Sequence, residues 1–309
     1  MEYLHSLFET KINKKTAVTV GKFDGIHKGH NILCNDIISK VSDGYASCLV
    51  TFTNSPRIAL MKDDSPSLIT NKERMYMLEQ NGLEYLVECP FDSKLMETDA
   101  ESFIRILVEN LNMKYMVVGS DFTFGYKGAG NVDLLRVLAD EFGFELRVID
   151  KIKKNNRDIS STYIREELKE GHISSVNEML GYNYFVWGEV VHGAHLGHQI
   201  GIPTINITPE ASKLVPKFGV YVTSIDFDGR IYHGVTNVGT KPSVSDKEIV
   251  GIETHILDYN GDLYGRFVKV TFHEFLRPEM KFNSIDELKN QMSKDKMTAK
   301  EYFNKNNVT

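Results

Sequence analysis

The hydrophobic pattern of this chain changes near residue 182, and that change limits the possible folds more than any other feature of the sequence. In the first part, short β-rich runs such as "ASCLVTF" (46–52) and "YMVVG" (115–119) alternate with helical patterns such as "NVDLLRVLADEFG" (131–143). Such alternation predicts an α/β domain, in which helices cover both faces of a parallel sheet. Ligands bind such sheets at the carboxyl ends of the strands.

The second part has the period-two alternation of antiparallel strands, in runs such as "GVYVTSIDFDGRIYHGVTNVG" (219–239) and "RFVKVTFHEFL" (266–276). The dipeptide Asp228-Gly229 in the first of these runs is a strong hairpin signal. Together they predict an all-β domain, a small antiparallel barrel, followed by a helical tail. We place the boundary in "GYNY" (181–184), which gives domains 1–182 and 183–309.

Two helices are expected to begin with a capping box, in which a Ser or Thr is followed three residues later by a Glu. The pairs are Thr98 with Glu101, and Ser284 with Glu287. The second pair marks the start of the helical tail.

The composition excludes several classes of protein. A net charge of −6 over 309 residues argues against bulk attraction of polyanions, so no nucleic-acid partner is expected and any phosphate site must be local. No stretch approaches the roughly 20 apolar residues that span a bilayer, and the N-terminus lacks a secretion signal. The three cysteines are too scattered for a zinc knuckle: Cys34, Cys48 and Cys89. We therefore expect a cytoplasmic protein with reduced thiols and no membrane partner.

The stretch "GKFDGIHKGH" (21–30) leaves a buried strand and places His27 and His30 at a predicted helix start. Gly21 and Gly29 allow a tight turn and a close approach of a ligand to the first helical turn, whose free N–H groups attract anions. Imidazoles three residues apart share one helix face, so both can donate to phosphate oxygens. Two alternatives remain open: exposed polar residues without function, or a metal site with Asp24 as third ligand.

A second predicted helix start, "ISSTYIREEL" (159–168), carries three hydroxyls and places Arg165 one turn inside the helix. Alone, this is typical of a serine cap with an ordinary arginine. Together with the His pair, it supplies a second phosphate-binding helix terminus.

These motifs resemble the adenylyltransferase half of bifunctional bacterial FAD synthetases, which are also riboflavin kinases. The resemblance extends through "VTFTNSPR" (50–57), "LITNKERMYML" (68–78), "VGSDFTFGYKGAGN" (118–131) and "EGHISSVNEMLG" (170–181). It implies a Rossmann-like nucleotidyltransferase domain that converts FMN and ATP to FAD and pyrophosphate.

The resemblance also implies roles for individual residues. His27 and His30 would steady the α-phosphate, and Ser161, Thr162 and Arg165 would hold the departing phosphates. Asp24 and Asp121 would help to seat nucleotide, flavin or Mg²⁺. The remaining nucleotide-binding positions implied are Gly21, Phe23 and Gly29. The chain departs from the family at Asn54-Ser55, where a Pro-His pair is usual, and at Lys22, where Asn is usual.

The second part has a motif of its own, "GEVVHGAHLGHQIGIPTINI" (188–207), with Gly193, Gly197 and Gly201 at regular spacing. Such a loop can wrap phosphates with its amides. Thr204 and Asn206 then alternate along an extended segment and face the same side, where their oxygens suit Mg²⁺. A glycine-rich bulge followed by a strand that starts with proline is an equal alternative.

Glu253 lies in the apolar run "GIETHIL" (251–257). Most such glutamates face solvent, but a carboxylate beside a primary hydroxyl is the expected base for phosphoryl transfer.

This half resembles the riboflavin kinase domain in "PKFGVYV" (216–222), "GVTNVGTKPSV" (234–244), "IETHILDY" (252–259), "DLYG" (262–265) and "FLRPEMKF" (275–282). The resemblance implies a six-stranded barrel that converts riboflavin and ATP to FMN and ADP. Thr204 and Asn206 would hold Mg²⁺, Gly197 and Gly201 would bind nucleotide, and Glu253 would take the proton from the ribityl hydroxyl. His198 replaces the usual loop arginine, which weakens the case for kinase activity.

The sequence therefore predicts an enzyme with flavins and ATP as its small-molecule partners. A narrower alternative is FMN adenylylation alone, with a barrel that only binds flavin. Two further alternatives are a nucleotidyltransferase of another class, which would lack the β-rich half, and a flavin-binding regulator without turnover. The sequence does not determine the oligomeric state.

Overall fold

The computed structural model describes residues 1–53, 66–192, 203–241 and 249–306 of the chain. The chain forms two compact units, Met1–Ser161 and Thr162–Thr309. The division lies about twenty residues before the domain boundary expected from the sequence, because two helices group with the second unit rather than the first.

The first unit is built on a six-stranded sheet whose order is β1-β4-β3-β2-β5-β6. Each neighbouring pair of strands in it is parallel. The strands are β1 (Glu2–Leu4), β2 (Thr16–Val20), β3 (Ala46–Phe52), β4 (Tyr85–Cys89), β5 (Met113–Gly119) and β6 (Glu145–Ile149). A short hairpin follows, made of β7 (Lys153–Lys154) and β8 (Arg157–Asp158).

Helices cover both faces of this sheet, as the sequence predicted. They are α1 (Lys28–Ser39), α2 (Asn71–Gln80), α3 (Ser93–Glu97), α4 (Ala100–Leu111) and α5 (Val132–Phe142). One core cluster contains Phe103 and Leu107 of α4 and Leu135 of α5. A second cluster contains Ile37 of α1 and Leu78 of α2. The sheet thus separates two apolar layers, which leaves the strand ends as the place for a ligand.

The predicted cap of α4 is wrong by one residue. Asp99 is the cap, and its Oδ1 accepts from the Ser102 N–H at 2.9 Å. Thr98 does not cap this helix because its hydroxyl donates to the Lys94 carbonyl at 2.7 Å, on the preceding helix. Either side chain fits an N-cap, so the sequence alone could not choose between neighbours.

The second unit is a closed six-stranded antiparallel barrel in the order β10-β13-β12-β11-β14-β9, as predicted. The strands are β9 (Phe185–Val191), β10 (Ile205–Ile207), β11 (Gly219–Phe227), β12 (Arg230–Lys241), β13 (Ile249–Ile256) and β14 (Phe267–Arg277). Asp228 and Gly229 form the predicted hairpin with φ of 51° and 72°, which suits this pair of residue types.

Three helices accompany the barrel: α6 (Ser161–Glu170), α7 (Ile173–Leu180) and α8 (Ile285–Asn306). The Asn177 side chain of α7 donates to the Phe272 carbonyl of β14 at 2.9 Å. This contact accounts for part of the difference in the boundary. The tail helix α8 buries Phe303, whose ring stacks on His233 with centroids 3.7 Å apart.

The predicted cap of α8 is half confirmed. Ser284 accepts from the Glu287 N–H at 3.1 Å, but the Glu287 carboxylate accepts from the Asn283 N–H instead of completing the box. Across the described stretches, no helix combines the length and apolar character needed to cross a membrane.

Candidate active sites

His27 is the N-cap of α1, at the carboxyl end of β2. Its Nδ1 accepts from the backbone N–H of His30 at 3.4 Å, and the two imidazole rings stack with centroids 3.7 Å apart. Because Nδ1 is the acceptor, the neutral ring carries its proton on Nε2. His27 can therefore donate to an anion through Nε2 while it caps the helix through Nδ1.

Burial keeps both imidazoles neutral. It lowers the pKa of His27 to about 4, a shift that the negative charges of Asp24 and Asp121 only partly oppose. Burial also holds the pKa of His30 well below its usual range, and the neighbouring His27 lowers it further. The pair thus presents neutral imidazoles rather than formal positive charge, and donation to a phosphate stays a prediction.

Three of the predicted nucleotide-binding residues contribute to the packing of aromatic rings in this turn. The Phe23 side chain is fully buried, at a φ of 49°, and its ring lies 4.9 Å from that of His30. A Cβ on Gly29 would lie 3.3 Å from the His27 ring, and one on Gly21 would lie 3.2 Å from Phe23. Both glycines therefore leave room for aromatic rings, and their contact with a nucleotide stays a prediction.

Asp24 stabilises the turn between β2 and α1 through hydrogen bonds. Its Oδ1 accepts from the N–H groups of Leu68 and Ile69 at 2.9 and 3.4 Å, and its carbonyl accepts from the Ser161 hydroxyl at 2.8 Å. Its predicted contact with nucleotide or metal stays a prediction. Among the described residues, no group of three His, Cys, Asp or Glu side chains is placed to hold a metal ion.

A buried ion pair that the sequence analysis missed lies beneath the same turn. Arg74 and Glu88 are 4% and 3% exposed and are in contact. Arg74 also donates to the Lys22 carbonyl at 3.2 Å, and so does the Thr51 hydroxyl at 3.2 Å. The motif "LITNKERMYML" contains Arg74, but nothing in its pattern indicates an ion pair with Glu88.

Lys151 was likewise not predicted as a site residue from the sequence. It lies two residues beyond β6, as Asp121 lies two residues beyond β5, and the ends of these strands are paired at Gly119 and Ile149. The Lys151 Nζ lies 2.8 Å from Asp121 Oδ2 and 3.6 Å from Asp158 Oδ2. The hydrogen bond to Asp121 raises the pKa of Lys151, so this cation is permanent.

The helix start "ISST" lies where the sequence predicted it, with Ser161 as the first residue of α6. Ser161 belongs to the first unit and is tied to the Asp24 carbonyl. Thr162 and Arg165 follow on the same helix within the second unit. Their role in holding the departing phosphates stays a prediction.

In the barrel, the structure brings together the residues that the sequence singled out. The Thr204 hydroxyl donates to Glu253 Oε1 at 2.6 Å. Asn206 of β10 lies directly opposite Glu253 of β13, which in turn lies opposite Asn237 of β12. The four side chains form a polar group on adjacent strands, and Asn237 is the member that the sequence did not reveal. The side-chain oxygen atoms of this polar group are the kind of ligand that a hard cation such as Mg²⁺ prefers.

Two cavities share Thr204. The Glu253 cavity, of about 240 Å³, is lined by Glu253 and His255 and by apolar side chains that include Met280, Phe282 and Met292. The Tyr264 cavity, of about 330 Å³, is lined by Pro203, Tyr259, Asp262 and Tyr264 among others. A group bound in either cavity therefore reaches the same hydroxyl.

Several predicted residues lie outside the described part of the chain. They are Asn54 and Ser55 of the first half, and Gly193, Gly197, His198 and Gly201 of the glycine-rich loop.

Comparison with known proteins gives two family matches in chain order. Residues 9–163 match the FAD synthetase family, and residues 180–303 match the riboflavin kinase family. The residues between them correspond to most of α6 and α7.

Full-length relatives cover both parts. A bifunctional riboflavin kinase/FMN adenylyltransferase from Bacillus subtilis is 34% identical, with 94% of this chain and 93% of the relative aligned. One of the same name from Haemophilus influenzae is also 34% identical, over 93% of this chain and 94% of the relative.

A solved structure, described as a macrolide-efflux protein from Streptococcus pneumoniae, has a TM-score of 0.87 and 29% identity. It covers 97% of this chain and 98% of that one, so both halves have their counterpart there. From the two family matches and the relatives aligned along nearly the whole length, the chain belongs to the bifunctional riboflavin kinase/FMN adenylyltransferase family.

Proposed function

We propose that the barrel converts riboflavin and ATP to FMN and ADP, and that the first unit converts FMN and ATP to FAD and pyrophosphate. The observation that carries this proposal is that each family segment holds its own reactive group. The first has a neutral His pair at a helix start, and the second has a carboxylate bonded to a hydroxyl between two cavities.

In the adenylyl transfer, an oxygen of the FMN phosphate attacks the α-phosphorus of ATP. The bond to the bridging oxygen breaks, and pyrophosphate leaves with the electron pair. His27 Nε2–H and the free amides at the start of α1 would donate to the α-phosphate oxygens, where negative charge accumulates. Ser161, Thr162 and Arg165 would hold the departing pyrophosphate.

In the kinase reaction, the ribityl hydroxyl attacks the γ-phosphorus of ATP and ADP leaves. Glu253 would accept the hydroxyl proton as the new oxygen–phosphorus bond forms. In the structure, Glu253 Oε1 accepts from Thr204, and this charge-assisted bond would weaken once the carboxylate takes up the proton.

The two cavities suggest where each substrate binds. The Glu253 cavity has apolar side chains suited to the flavin ring system, with the carboxylate at the same surface. The Tyr264 cavity adjoins Pro203, which follows directly on the predicted glycine-rich phosphate loop. Flavin in the first and ATP in the second would meet at Thr204.

Mg²⁺ is part of the proposal for the barrel. The Thr204 hydroxyl and the Asn206 amide oxygen would hold it, and a bound Mg²⁺ neutralises phosphate charge. A cytoplasmic location accords with three free, buried cysteines, and the acidic net charge accords with small-molecule rather than nucleic-acid partners.

Incubation of the full chain with riboflavin, ATP and Mg²⁺ tests both activities, and chromatography of the flavins gives the readout. FMN followed by FAD is the expected result. FAD formed only when FMN is supplied would support the narrower function, adenylylation by a chain whose barrel binds flavin. Flavin binding without any turnover would refute both.

A further inference from the structure

Thr204 lies just outside the strand pairing that fixes its neighbours. The pairing of β10 with β13 begins at Ile205, opposite Thr254, and continues through Asn206 and Ile207. Pro203, on the other side of Thr204, has no N–H to donate. Side-chain hydrogen bonds therefore contribute to the position of Thr204.

Two side chains of β13 supply those bonds. Glu253 accepts from the Thr204 hydroxyl at 2.6 Å, and His255 Nδ1 lies 2.8 Å from the Pro203 carbonyl oxygen. The two residues are two positions apart, so they project from the same face of the strand. Both line the Glu253 cavity.

The direction of the His255 bond follows from its partner. A carbonyl oxygen only accepts, so the proton lies on Nδ1. His255 is 8% exposed, and burial lowers its pKa, so the ring is neutral with this one N–H. A buried imidazole costs free energy unless it is hydrogen-bonded, and the Pro203 carbonyl is the partner found here.

Of these two hydrogen bonds, only the one to Glu253 involves a group that takes part in the proposed kinase reaction. When Glu253 takes the proton of the substrate hydroxyl, its negative charge is lost and the bond from the Thr204 hydroxyl weakens. The bond from His255 to Pro203 involves no reacting group, so it can persist throughout. Without the bond from His255, the Pro203–Thr204 segment would be less restrained while Glu253 takes up the proton, which is when Thr204 has to stay in position.

We infer that His255 is a positioning residue of the kinase reaction. Its Nδ1–H holds the Pro203 carbonyl, so that Thr204 stays in place while Glu253 takes up the proton of the substrate hydroxyl. This inference rests on the proposed kinase function of the barrel.

The test compares His255→Phe, which removes the donor, with His255→Asn, whose amide N–H can replace it. In the full chain, His255→Phe should lower the kinase kcat about ten-fold, the effect of losing one buried hydrogen bond, with a riboflavin KM within about two-fold. His255→Asn should recover most of the loss. FAD formation from supplied FMN should be unchanged in both variants.

His273→Phe is the matched control. His273 is also buried in the barrel, and its Nε2 bonds to Ser224 rather than to the Pro203–Thr204 segment. Hydrogen exchange of the Ile205–Ile207 amides should accelerate in His255→Phe and not in His273→Phe. Equal losses of kcat in these two variants, or no recovery in His255→Asn, would overturn the role of His255.

The two proposals can fail separately. A wild-type chain that forms no FMN from riboflavin would refute the kinase function itself. A wild-type chain that forms FMN, beside a His255→Phe variant with unchanged kcat and exchange, would refute only the positioning role.

Discussion

The two candidate sites obtain their geometry in different ways. In the first unit, His27 is fixed by the backbone, because its ring caps α1 and is stacked on His30. In the barrel, the Thr204 hydroxyl is bonded to Glu253, and the adjacent Pro203 carbonyl is bonded to His255. The bond by which His27 caps α1 involves no proposed proton transfer, whereas the bond from Thr204 weakens when Glu253 takes up a proton. A fixed cap and a bond that changes with protonation thus coexist in one chain, and variants can separate them.

Glu253→Gln should produce the largest effect and tests the site in which a hydrogen bond changes with protonation. Glutamine keeps an oxygen for the Thr204 hydroxyl but cannot take a proton, so FMN formation should fall by about 10²–10⁴-fold. FAD formation from supplied FMN should not change, which serves as the control for folding. A loss below about ten-fold would show that Glu253 is not the base.

His27→Ala should come next and tests the preorganised site. Loss of the Nε2–H donor should lower FAD formation from FMN by about 10²–10³-fold, while FMN formation from riboflavin is unchanged. His27→Asn separates the two tasks of this residue, since asparagine is a good N-cap but does not replace the imidazole donor. Full activity in His27→Asn would mean that only the cap matters.

Lys151→Met should have a smaller effect, on charge rather than geometry. With both imidazoles neutral, Lys151 is the formal cation at the strand ends next to Asp121. We expect the Lys151 ammonium group to donate to a phosphate of ATP. Loss of that charge-assisted bond should raise the ATP KM of the adenylyl transfer about ten-fold. Lys153→Met, an exposed lysine on the adjacent hairpin, is the control, and an equal effect there would exclude a specific contact.

The smallest expected change is in the titration of His27. Burial lowers its pKa to about 4, so the folded protein should keep this ring neutral between about pH 8 and about pH 5.5. Imidazole ¹⁵N resonances should therefore stay constant over this range in the folded chain, and should titrate in denaturant. Because the unfolded chain takes up the proton first, stability should decrease as the pH falls from about 6.5 toward 4. A folded-state midpoint near 6.5 would contradict the neutral pair.

The sequence predicted those parts of the molecule that depend on local pattern. Strand–helix alternation gave the covered parallel sheet, and period-two runs gave the barrel. The polar group around Glu253 was also predictable in part, because Thr204 and Asn206 share one face of an extended segment.

The rest depends on contacts between distant residues. Asn237 lies near Glu253 because β12 pairs with β13, and Lys151 lies near Asp121 because β5 pairs with β6. No local pattern in the sequence specifies these strand neighbours. The cap at Asp99 rather than Thr98 was decided by a competing bond to the preceding helix. Phe23 is fully buried with its ring beside that of His30, a packing contact that its motif did not reveal, and its contact with a ligand stays a prediction.

Closure of the barrel affects which unit can form intermolecular β-sheet when the protein is heated or acidified. A closed barrel has no outermost strand, so its amides and carbonyls offer no template to another copy. The parallel sheet ends in β1 and β6, each with one unpaired side. β1 has three residues, while β6 has five, two of them exposed and charged: Glu145 and Arg147. Intermolecular β-pairing in heated or acidified samples should therefore begin in the nucleotidyltransferase half, with these charges as its main deterrent.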